Sequence, residues 1–376
     1  MKRITTEAAE PQEHRTKPPT VRDVARRAGL SQAAVSYALA GPSPRVSDQT
    51  RQRVLQAAAE LGYQPNVLAR VMKGKEAGLL GIIVRDGGAP TAAEVCRTLM
   101  TRAPAYGYDI ILTDAGNSAT TLLRLANLMK SRLCDGLFLV GELPDQDMHW
   151  DAYERLGVPT VALLHGDERA YPGTRVSVER RSGLREALDH LYELGHRHIG
   201  FVGSDLLNGL KERRRTFVSL MRERGLPLPK QSLLLTDFSR EGGRDAMRRL
   251  MSMASPPTAV LACADLVASG MLVEARRAGV AVPGDISVVG YDDNPEAEYS
   301  CPTLTTVHQP IAEMADRALE WFQSRRAGGA SSLDNLVVNA TLVVRESTGP
   351  APLDGPAKGR AHTGAVRRGR SSVPGG

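Results

Sequence analysis

Two short helices near the start of the chain present side chains that can form hydrogen bonds and apolar contacts. The stretch TVRDVARRAGLSQAAVSYALAG, residues 20–41, has apolar residues at helical spacing on both sides of a glycine. Its second helix leaves Gln32, Ala33, Ser36 and Tyr37 on the face away from its apolar residues. Two short helices with a glycine-containing turn are typical of a helix-turn-helix, whose second helix enters the DNA major groove. An ordinary helical hairpin is the alternative.

The charge distribution favours the helix-turn-helix. The whole chain has a formal net charge of +6, but residues 1–75 alone hold 13 Lys/Arg against 6 Asp/Glu. Residues 349–376 are also basic, whereas residues 76–348 carry more acidic than basic side chains. A basic N-terminal region on an acidic body indicates a polyanion as the partner of that region alone.

The chain lacks the common catalytic signatures. It contains no G-x-x-x-x-G-K-[ST] phosphate loop, no G-x-G-x-x-G after a strand, no G-x-S-x-G and no H-E-x-x-H. His190, His196 and His198 are close together in HLYELGHRH, and we interpret them as part of a solvated turn because no carboxylate or cysteine completes a metal site. We therefore expect no enzymatic activity, no cofactor and no metal.

Three helices account for the N-terminal head. The first begins after Thr20, which stands at the N-cap position, and repeats apolar residues at i, i+3, i+4 and i+7 from Val21. The second is expected to bury Val35 and Leu39. The third runs from a cap at Ser47 to Gly62 and covers the other two. The residues of the third helix that we expect to be buried are Val54, Leu55, Ala58 and Leu61.

Beyond Gly78 the chain alternates short apolar runs with amphipathic stretches. Continuous Val, Ile and Leu runs between helices are typical of buried parallel strands, which predicts an α/β fold. So many strands exceed one sheet of this type, and we expect two α/β lobes with a cleft between them. The runs are LLGIIV, DIILT, GLFLV, TVALL, HIGFVG, LLLT, AVLACA and ISVVGY.

The sequence shows no signal for export or membrane insertion. No run of 18 apolar residues occurs, and the first residues are polar, without the apolar core of a signal peptide. Cys96, Cys134, Cys263 and Cys301 are widely spaced, and we interpret them as small buried side chains in a reducing compartment. These features predict a cytoplasmic protein without a membrane partner.

Three motifs of the head match a known pattern along its whole length. They are VRDVARRAGLSQAAVSYALAG, VSDQTRQRVLQAAAELGYQPN and LARVMKGK. They resemble the DNA-binding region of the lactose/galactose-repressor (LacI/GalR) family of bacterial transcription factors. The resemblance implies a helix-turn-helix domain over residues 19–65 and a hinge helix over residues 66–76. Met72 takes the position of the family's minor-groove wedge, which kinks the duplex.

The resemblance also assigns the residues that contact DNA. The exposed side chains of the second helix face the major groove, and Ser31 and Asn66 contact phosphates. Tyr37 stands where the family often has an arginine, so the usual bidentate contact with guanine is missing from that position. The expected DNA-binding residues are Thr20, Ser31, Gln32, Ala33, Ser36, Tyr37, Arg45, Asn66, Ala69, Met72 and Lys73.

The motifs YELGHRHIGFVGS, AGVAVPGDISVVGYDD and PTLTTVHQP carry the resemblance through the body to about Ser347. They imply a two-lobed, periplasmic-binding-protein-like core over residues 77–348. Residues 1–18 and 349–376 fall outside and are expected to be a disordered extension and a disordered basic tail. The segments expected to cross between the lobes lie near residues 174–179, 304–309 and 335–341.

By the same resemblance the cleft between the lobes is an effector site. Arg213 in LKERRRTF takes the position of the family's effector-binding arginine, and Asp292 in GYDD takes that of its hydroxyl-binding carboxylate. Thr91 and Asp114 complete the predicted site. An arginine facing a carboxylate suits a polyhydroxyl or anionic ligand. A purely structural salt bridge is the alternative.

Together these features predict a sequence-specific transcriptional regulator that binds a pseudo-palindromic operator in double-stranded DNA as a homodimer. Repression is the expected effect on transcription, and a small sugar-like or polar effector in the cleft is the expected control. One alternative is a regulator whose degenerate pocket has no small-molecule response. Another is a solute-binding protein for transport, which shares the body fold but needs an export signal in place of the DNA-binding head.

Overall fold

The chain forms two compact units that divide between Ala77 and Gly78. None of the helices in the part of the chain that the structure describes is long and apolar enough to cross a membrane. The predicted extension over residues 1–18 and the predicted hinge helix over residues 66–76 lie outside that part. The computed structural model describes residues 19–39, 45–63, 77–116, 118–131, 134–141, 157–164, 173–328 and 335–352.

The first unit is built from three helices. They are α1 (Val21–Ala28), α2 (Gln32–Leu39) and α3 (Asp48–Leu61). The amide and hydroxyl of Thr20 donate to the Asp23 carboxylate at 2.9 and 2.6 Å, which fixes the start of α1 in a capping box. Gly29 ends α1 with φ of 63°, a conformation that favours glycine.

One apolar core holds these three helices together. It consists of Val24, Ala25, Ala28, Val35, Ala38, Val54, Ala57 and Ala58. At the end of α2, Ala38 is fully buried and Leu39 only half-buried. Leu55 was predicted inside but is 36% exposed, because Ala57 and Ala58 occupy the face of α3 that meets the other helices. The predicted helix-turn-helix with a covering third helix is confirmed.

Two six-stranded sheets form the framework of the second unit. All eight apolar runs found in the sequence are strands. Runs such as LLGIIV and GLFLV are buried, as expected of strands covered on both faces, whereas Asp109–Asp114 is largely exposed. The strands are β1 (Leu79–Val84), β2 (Asp109–Asp114), β3 (Gly136–Val140), β4 (Thr160–Leu163), β5 (Thr174–Glu179), β6 (Ile199–Gly203), β7 (Leu233–Leu235), β8 (Ala259–Ala262), β9 (Ser287–Asp292), β10 (Thr305–His308), β11 (Asn335–Asn339) and β12 (Thr341–Val343).

The strand order places a crevice at the carboxyl ends of the strands in each sheet. The order is β11-β5-β4-β3-β1-β2 in the first sheet and β12-β10-β9-β8-β6-β7 in the second. Neighbouring strands are parallel except for β10 and β12, which are antiparallel. After β2 the chain returns past β1 and forms β3 on the other side of β1, and after β7 it returns past β6 and forms β8 on the other side of β6. In such sheets a ligand crevice forms at the carboxyl ends of the strands where the order reverses.

Helices cover the sheets and complete two lobes. They are α4 (Pro90–Arg102), α5 (Ala119–Ser131), α6 (Arg180–Glu193), α7 (Asn208–Glu223), α8 (Arg240–Met251), α9 (Asp265–Ala278), α10 (Glu296–Tyr299) and α11 (Ile311–Arg326). In the first lobe α4 packs on α11, and in the second α8 packs on α9. The α8–α9 contact requires glycine, since a Cβ on Gly270 would lie 1.9 Å from the carbonyl oxygen of Arg240.

The chain passes between the two lobes at three places. It leaves the first sheet after β5, where α6 begins at Arg180, and it leaves the second sheet after β10, where Gln309 leads into α11. Ala340 alone separates β11 of the first sheet from β12 of the second. The three segments predicted to cross correspond to β5, β10 and the stretch from β11 to β12.

The ordered core extends past the predicted boundary at residue 348. The amide of Gly349 donates to Ser287 Oγ at 3.1 Å, and the amide of Ala351 donates to the Leu194 carbonyl oxygen at 2.8 Å. The prediction of a disordered tail is therefore wrong for residues 349–352. Residues 353–376 lie outside the part that the structure describes.

His196 connects this C-terminal segment to the second sheet. Its ring is fully buried and lies 2.9 Å from Thr258 Oγ1, 3.1 Å from Ser287 Oγ and 3.0 Å from the carbonyl oxygen of Gly349. Our interpretation of a solvated turn is wrong for His196, because the turn that carries it packs under the end of the chain. Burial lowers the pKa of His196 below its ordinary value, although the Gly349 carbonyl opposes the shift.

Three of the four cysteines match the expectation of small buried side chains. Cys96, Cys134 and Cys263 are buried, whereas Cys301 is exposed, and all four are free thiols. Burial raises the pKa of Cys263 to about 12, so this thiol is neutral and unreactive near pH 7.

The buried His196 makes the stability of the folded chain sensitive to mild acid. The native state keeps this ring neutral, so its contribution is present above the unfolded pKa and is lost as the pH falls through the lowered folded pKa. We expect the difference in unfolding free energy between wild type and His196→Gln to shrink as the pH falls from 7 to 5, measured by urea unfolding of the full chain. Thr258→Val is the control, because it removes one of the same hydrogen bonds without a titrating group. An equal pH slope for the two differences would contradict this account.

Candidate functional site

A cleft between the two lobes collects side chains from the carboxyl ends of both sheets. Arg85 follows β1, Arg180 follows β5, Asp292 ends β9 and Gln309 follows β10. The first turn of α4 adds Thr91 from the first lobe. The cavity in this cleft measures about 80 Å³ and is partly open to solvent. This cleft is the candidate site for a small ligand, as expected from the reversal of strand order.

The Asp292 carboxylate is contacted by three side chains of the cleft. Arg213 Nη2 lies 3.1 Å from its Oδ1, and Gln309 Nε2 donates to the same oxygen at 2.7 Å. The Thr91 hydroxyl donates to Oδ2 at 3.0 Å. Asp292 is 3% exposed, so these donors replace the water that an ionised carboxylate requires. Burial raises the pKa of the Asp292 carboxyl, and Arg213 and the hydroxyl and amide donors oppose that rise.

Arg213 is held from three sides. Besides the ion pair with Asp292, its Nη1 donates to the carbonyl oxygen of Cys263 at 2.5 Å, and its guanidinium carbon lies 3.7 Å from the centre of the Tyr291 ring. Burial alone would lower the pKa of Arg213, but the Asp292 carboxylate, together with Tyr291 and Cys263, keeps the pKa above its ordinary value. Arg213 is therefore a fixed cation on the wall of the cleft.

One side chain of the first lobe is hydrogen-bonded to the second lobe at this point. Thr91 lies on α4, and its hydroxyl is within reach of both Asp292 Oδ2 and Asn294 Oδ1, at 3.0 and 3.3 Å. Both partners lie at the carboxyl end of β9 or just beyond it. The cleft residues thus join the two lobes as well as lining the cavity.

Two further carboxylates lie beneath Asp292. Asp265 accepts from Thr306 Oγ1 at 2.6 Å and from the amide of Asn294 at 2.8 Å, and burial together with the nearby Asp292 raises its pKa to about 7. Asp293 contacts Arg345 at 2.7 Å and the His308 ring at 2.9 Å. Burial would raise the pKa of Asp293, but these two partners lower it overall. Asp292 and Asp293 thus have separate sets of partners.

The backbone is strained where these carboxylates are placed. Asp292 has φ of 120° and Asp293 has φ of 58°, in a region that L-residues rarely adopt. Such conformations cost roughly 1–3 kcal/mol each and persist where the surroundings fix them. Consecutive positive φ values direct the two side chains to different partners, which keeps Asp292 facing the cleft.

The structure brings together three of the four residues predicted for the effector site. Arg213, Asp292 and Thr91 all line the cleft. Asp114 does not, because its carboxylate accepts from the amides of Gly87 at 2.9 Å and Gly116 at 2.7 Å and so shapes two loops after β1 and β2. Its assignment to the cleft is wrong.

The prediction missed Arg85, Arg180 and Gln309, which also line the cleft. Arg85 and Arg180 each follow a strand, and that position is the one signal that could have found them. In the part of the chain that the structure describes, no cluster of three His, Cys, Asp or Glu residues could hold a metal ion.

The first unit carries the other predicted surface. Gln32, Ala33 and Ser36 are exposed on α2, and Tyr37 beside them is 39% exposed. Ser31 precedes α2, and its hydroxyl accepts from the amide of Ala34 at 3.2 Å. The predicted DNA-contacting side chains of α2 therefore share one solvent-facing surface. The remaining hinge residues predicted to contact DNA, Asn66, Ala69, Met72 and Lys73, lie outside the described residues.

Tyr37 and Arg45 form a pair at the edge of this surface. Arg45 Nη1 donates to the Tyr37 hydroxyl at 2.6 Å, and the guanidinium carbon lies 5.0 Å from the centre of the tyrosine ring. Both side chains are exposed. The pair places a guanidinium beside α2, although no residue of α2 itself is an arginine.

Comparison with known proteins finds matches for both units of the chain. Residues 20–66 match the family described as bacterial regulatory proteins, lacI family, and residues 188–348 match a periplasmic binding protein-like domain. The HTH-type transcriptional regulator DegA of Bacillus subtilis is 31% identical over 336 residues, which cover 88% of this chain and 98% of DegA. This chain belongs to the lacI family. It is a transcriptional regulator with a helix-turn-helix DNA-binding region.

Other relatives of this lacI-family regulator agree. The HTH-type transcriptional repressor CytR of Escherichia coli K12 is 31% identical, with 89% of this chain and 97% of CytR covered. The Lac repressor dimer bound to operator and the anti-inducer ONPF has a TM-score of 0.73 at 24% identity, covering 89% of this chain and all of that one. A transcriptional regulator CelR–cellobiose complex has a TM-score of 0.64 at 28% identity, covering 88% and 99%. The predicted two-lobed fold is confirmed.

The regulator should lose stability when the link across its cleft is removed. Thr91→Val keeps the shape of the side chain but leaves Asp292 Oδ2 without this donor, which should cost about 1–3 kcal/mol. Thr101→Val on the same helix is the matched control, since that hydroxyl bonds only to the Arg97 carbonyl of its own helix, and it should cost less than about 0.5 kcal/mol. Urea unfolding of both variants measures the difference. Equal losses would show that the bond between the lobes contributes nothing.

Proposed function

We propose that this lacI-family chain represses transcription in the cytoplasm by binding a pseudo-palindromic operator in double-stranded DNA as a homodimer. It acts by binding, not by catalysis. The observation that carries the proposal is the exposed face of α2, where hydrogen-bonding side chains adjoin the Tyr37–Arg45 pair on a small basic unit. Membership of a family of transcriptional regulators supports it.

The side chains of α2 have the chemistry that base recognition requires. Gln32 can pair with the edge of adenine, and Ala33 can contact a thymine methyl group. Thr20 and Ser31 stand at the N-termini of α1 and α2. The backbone amides at a helix N-terminus can bind a phosphate. Gln32 and Ala33 would therefore contact bases, and Thr20 and Ser31 would fix the position of the three-helix unit on the duplex.

Arg45 supplies the arginine that α2 lacks. An arginine paired bidentately with guanine is the commonest specific contact in the major groove, and the sequence has tyrosine where the family often places that arginine. The Tyr37 hydroxyl holds the Arg45 guanidinium at the edge of the same surface. We assign the guanine contact of the half-site to Arg45, with Tyr37 as the residue that positions it.

The hinge residues belong to the proposal through the resemblance alone. Asn66 and Lys73 would contact phosphates, while Ala69 and Met72 would lie in the minor groove. An apolar Met72 between base pairs at the centre of the site would unstack one step and bend the duplex.

A homodimer follows from the size of one head. Three short helices offer few base contacts, and two heads on a symmetric site double them. The Lac repressor, which shares this fold, is a dimer on its operator. In this chain two copies would place two α2 helices in successive major grooves.

The cleft of the core is proposed to hold a small effector. Arg213 and Asp292 provide a fixed cation and a fixed acceptor, and Thr91 connects them to the other lobe. CelR, which has the same architecture, is known in complex with cellobiose. An effector controls the regulator only if it binds the DNA-competent and DNA-incompetent states with different affinity.

One observation favours a regulator without an effector. Both oxygens of Asp292 already accept from side chains of the protein, so this carboxylate needs no donor from a ligand. In such a protein no small molecule changes operator affinity.

Operator binding should depend steeply on salt. Lys and Arg contacts to phosphates release counterions, so the affinity should fall by about a thousandfold or more between ~50 and ~200 mM salt if six or more phosphates are neutralised. We would select a site from randomised DNA, follow its binding across salt concentrations and determine the mass of the complex. A monomer bound to an asymmetric site would contradict the proposal.

The Tyr37–Arg45 pair should read one base pair as a unit. Tyr37→Phe and Arg45→Gln should both relax the preference at the same position of the half-site, and Arg45→Gln should cost about 1–3 kcal/mol at the selected site. Gln32→Ala should relax a different position. Arg26→Gln is the control, because it removes the same charge from an exposed arginine of α1 and should leave the preference unchanged. Changes at unrelated positions for Tyr37→Phe and Arg45→Gln would refute the pairing.

A further inference from the structure

Three arginines from different parts of the core converge on the cleft. Arg85 comes from the first lobe, Arg180 from the crossing after β5 and Arg213 from α7 of the second lobe. Among the described residues that line the cavity, Asp292 is the one carboxylate. The wall of the cleft therefore carries more cationic than anionic side chains.

These cations are largely withdrawn from water. Arg85 and Arg213 are 7% and 9% exposed, and the Arg180 side chain is nearly as well covered. Removing a guanidinium from water is costly unless negative charge and acceptors replace the hydration. Asp292 does this for Arg213, and Glu212, which is outside the cavity wall, lies 3.0 Å from Arg180.

A guanidinium group has five N–H donors, so it can contact protein groups and a ligand at the same time. Arg213 Nε is buried and has no hydrogen-bond partner among the described residues. Two or three arginines around one oxyanion would form charge-assisted, bidentate hydrogen bonds, for which the planar guanidinium is suited.

The remaining wall is mainly hydrocarbon. Leu164, Leu207, Leu210 and Phe238 face the cavity, and alanine, proline and glycine supply most of the rest. A polyhydroxyl ligand would leave several hydroxyl groups against these side chains without hydrogen-bond partners, which is unfavourable. An apolar body suits this wall better than a sugar ring.

We infer that the cleft binds a small organic acid, with one oxyanion group held by Arg85, Arg180 and Arg213 and an apolar body against the leucines and Phe238. The oxyanion is a carboxylate or a phosphate, which share the geometry that guanidinium groups recognise. The inference rests on the proposed function of the cleft as an effector site and states which chemical class it selects.

Matched pairs of acids and neutral analogues test this class. Benzoate is compared with benzyl alcohol, phenylacetate with 2-phenylethanol, and phenyl phosphate with phenol, by calorimetry and thermal shift on the full chain, with glucose as a polyol. We expect at least one acid to bind at least tenfold more tightly than its neutral partner and than glucose. The better of the carboxylate and phosphate arms identifies the oxyanion. Equal binding of acid and neutral analogue, or no binding of any acid at 10 mM, overturns the inference.

Variants locate the anion within the molecule. Arg85→Gln and Arg180→Gln should each weaken the best acid at least tenfold. The matched control is Arg214→Gln on α7, whose side chain is paired with Asp205 at 2.8 Å and does not line the cavity. Its affinity for the acid should be unchanged. If the variant at the more buried Arg85 fails to fold, Arg180→Gln still provides the test. An acid that binds both Gln variants as tightly as it binds wild type contradicts the assignment of the oxyanion to these arginines.

Operator binding, measured in parallel, separates this inference from the proposed function. A chain that binds its selected operator but no acid refutes the inference and leaves the regulator standing. A chain that binds the acid but no DNA site refutes the proposed function and leaves the ligand class standing. An acid that binds and changes the operator affinity supports both.

Discussion

The core depends on one buried carboxylate. Asp292 is almost fully withdrawn from water, so it requires donors, and the fold supplies them from α7, from the segment after β10 and from α4 of the opposite lobe. A strained backbone directs the carboxylate into the cleft, and neighbouring Asp293 is turned to separate partners, Arg345 and His308. The same contacts that satisfy one charge therefore fix the relation of the two lobes. A ligand that competes for them acts directly on that relation.

The strand order of the two sheets explains why a buried carboxylate lies in the cleft. Parallel strands of both sheets end at the cleft, and each sheet reverses its strand order beside β1 or β6, so side chains that follow several strands meet in one small volume. The basic head is a separate unit with its own apolar core. The proposed reading of DNA and the proposed recognition of a small molecule are thus assigned to different units, and a ligand would control the regulator by favouring one arrangement of the lobes.

Much of the fold was predictable because its signals are local. The eight apolar runs predict strands without reference to the rest of the chain, and the capped helices of the head follow from spacing and from glycines such as Gly29. The failures concern contacts between distant segments. Nothing near His196 in the sequence shows that residues after 348 cover it, and nothing near Tyr37 shows that Arg45 returns to its hydroxyl. The convergence of three arginines likewise requires the strand order, which the sequence does not state.

A distance across the cleft tests the central role of Asp292 most directly. Spin labels on Arg97→Cys of α4 and Arg277→Cys of α9, in a Cys301→Ser background and diluted with unlabelled protein, report the separation of the two lobes by pulsed electron resonance. We predict one narrow distance distribution for the otherwise wild-type core. Asp292→Asn removes the negative charge that pairs with Arg213 and replaces one of the two acceptor oxygens by an amide donor, and it should lengthen or broaden that distribution. An unchanged distribution would contradict the claim that this carboxylate holds the lobes together.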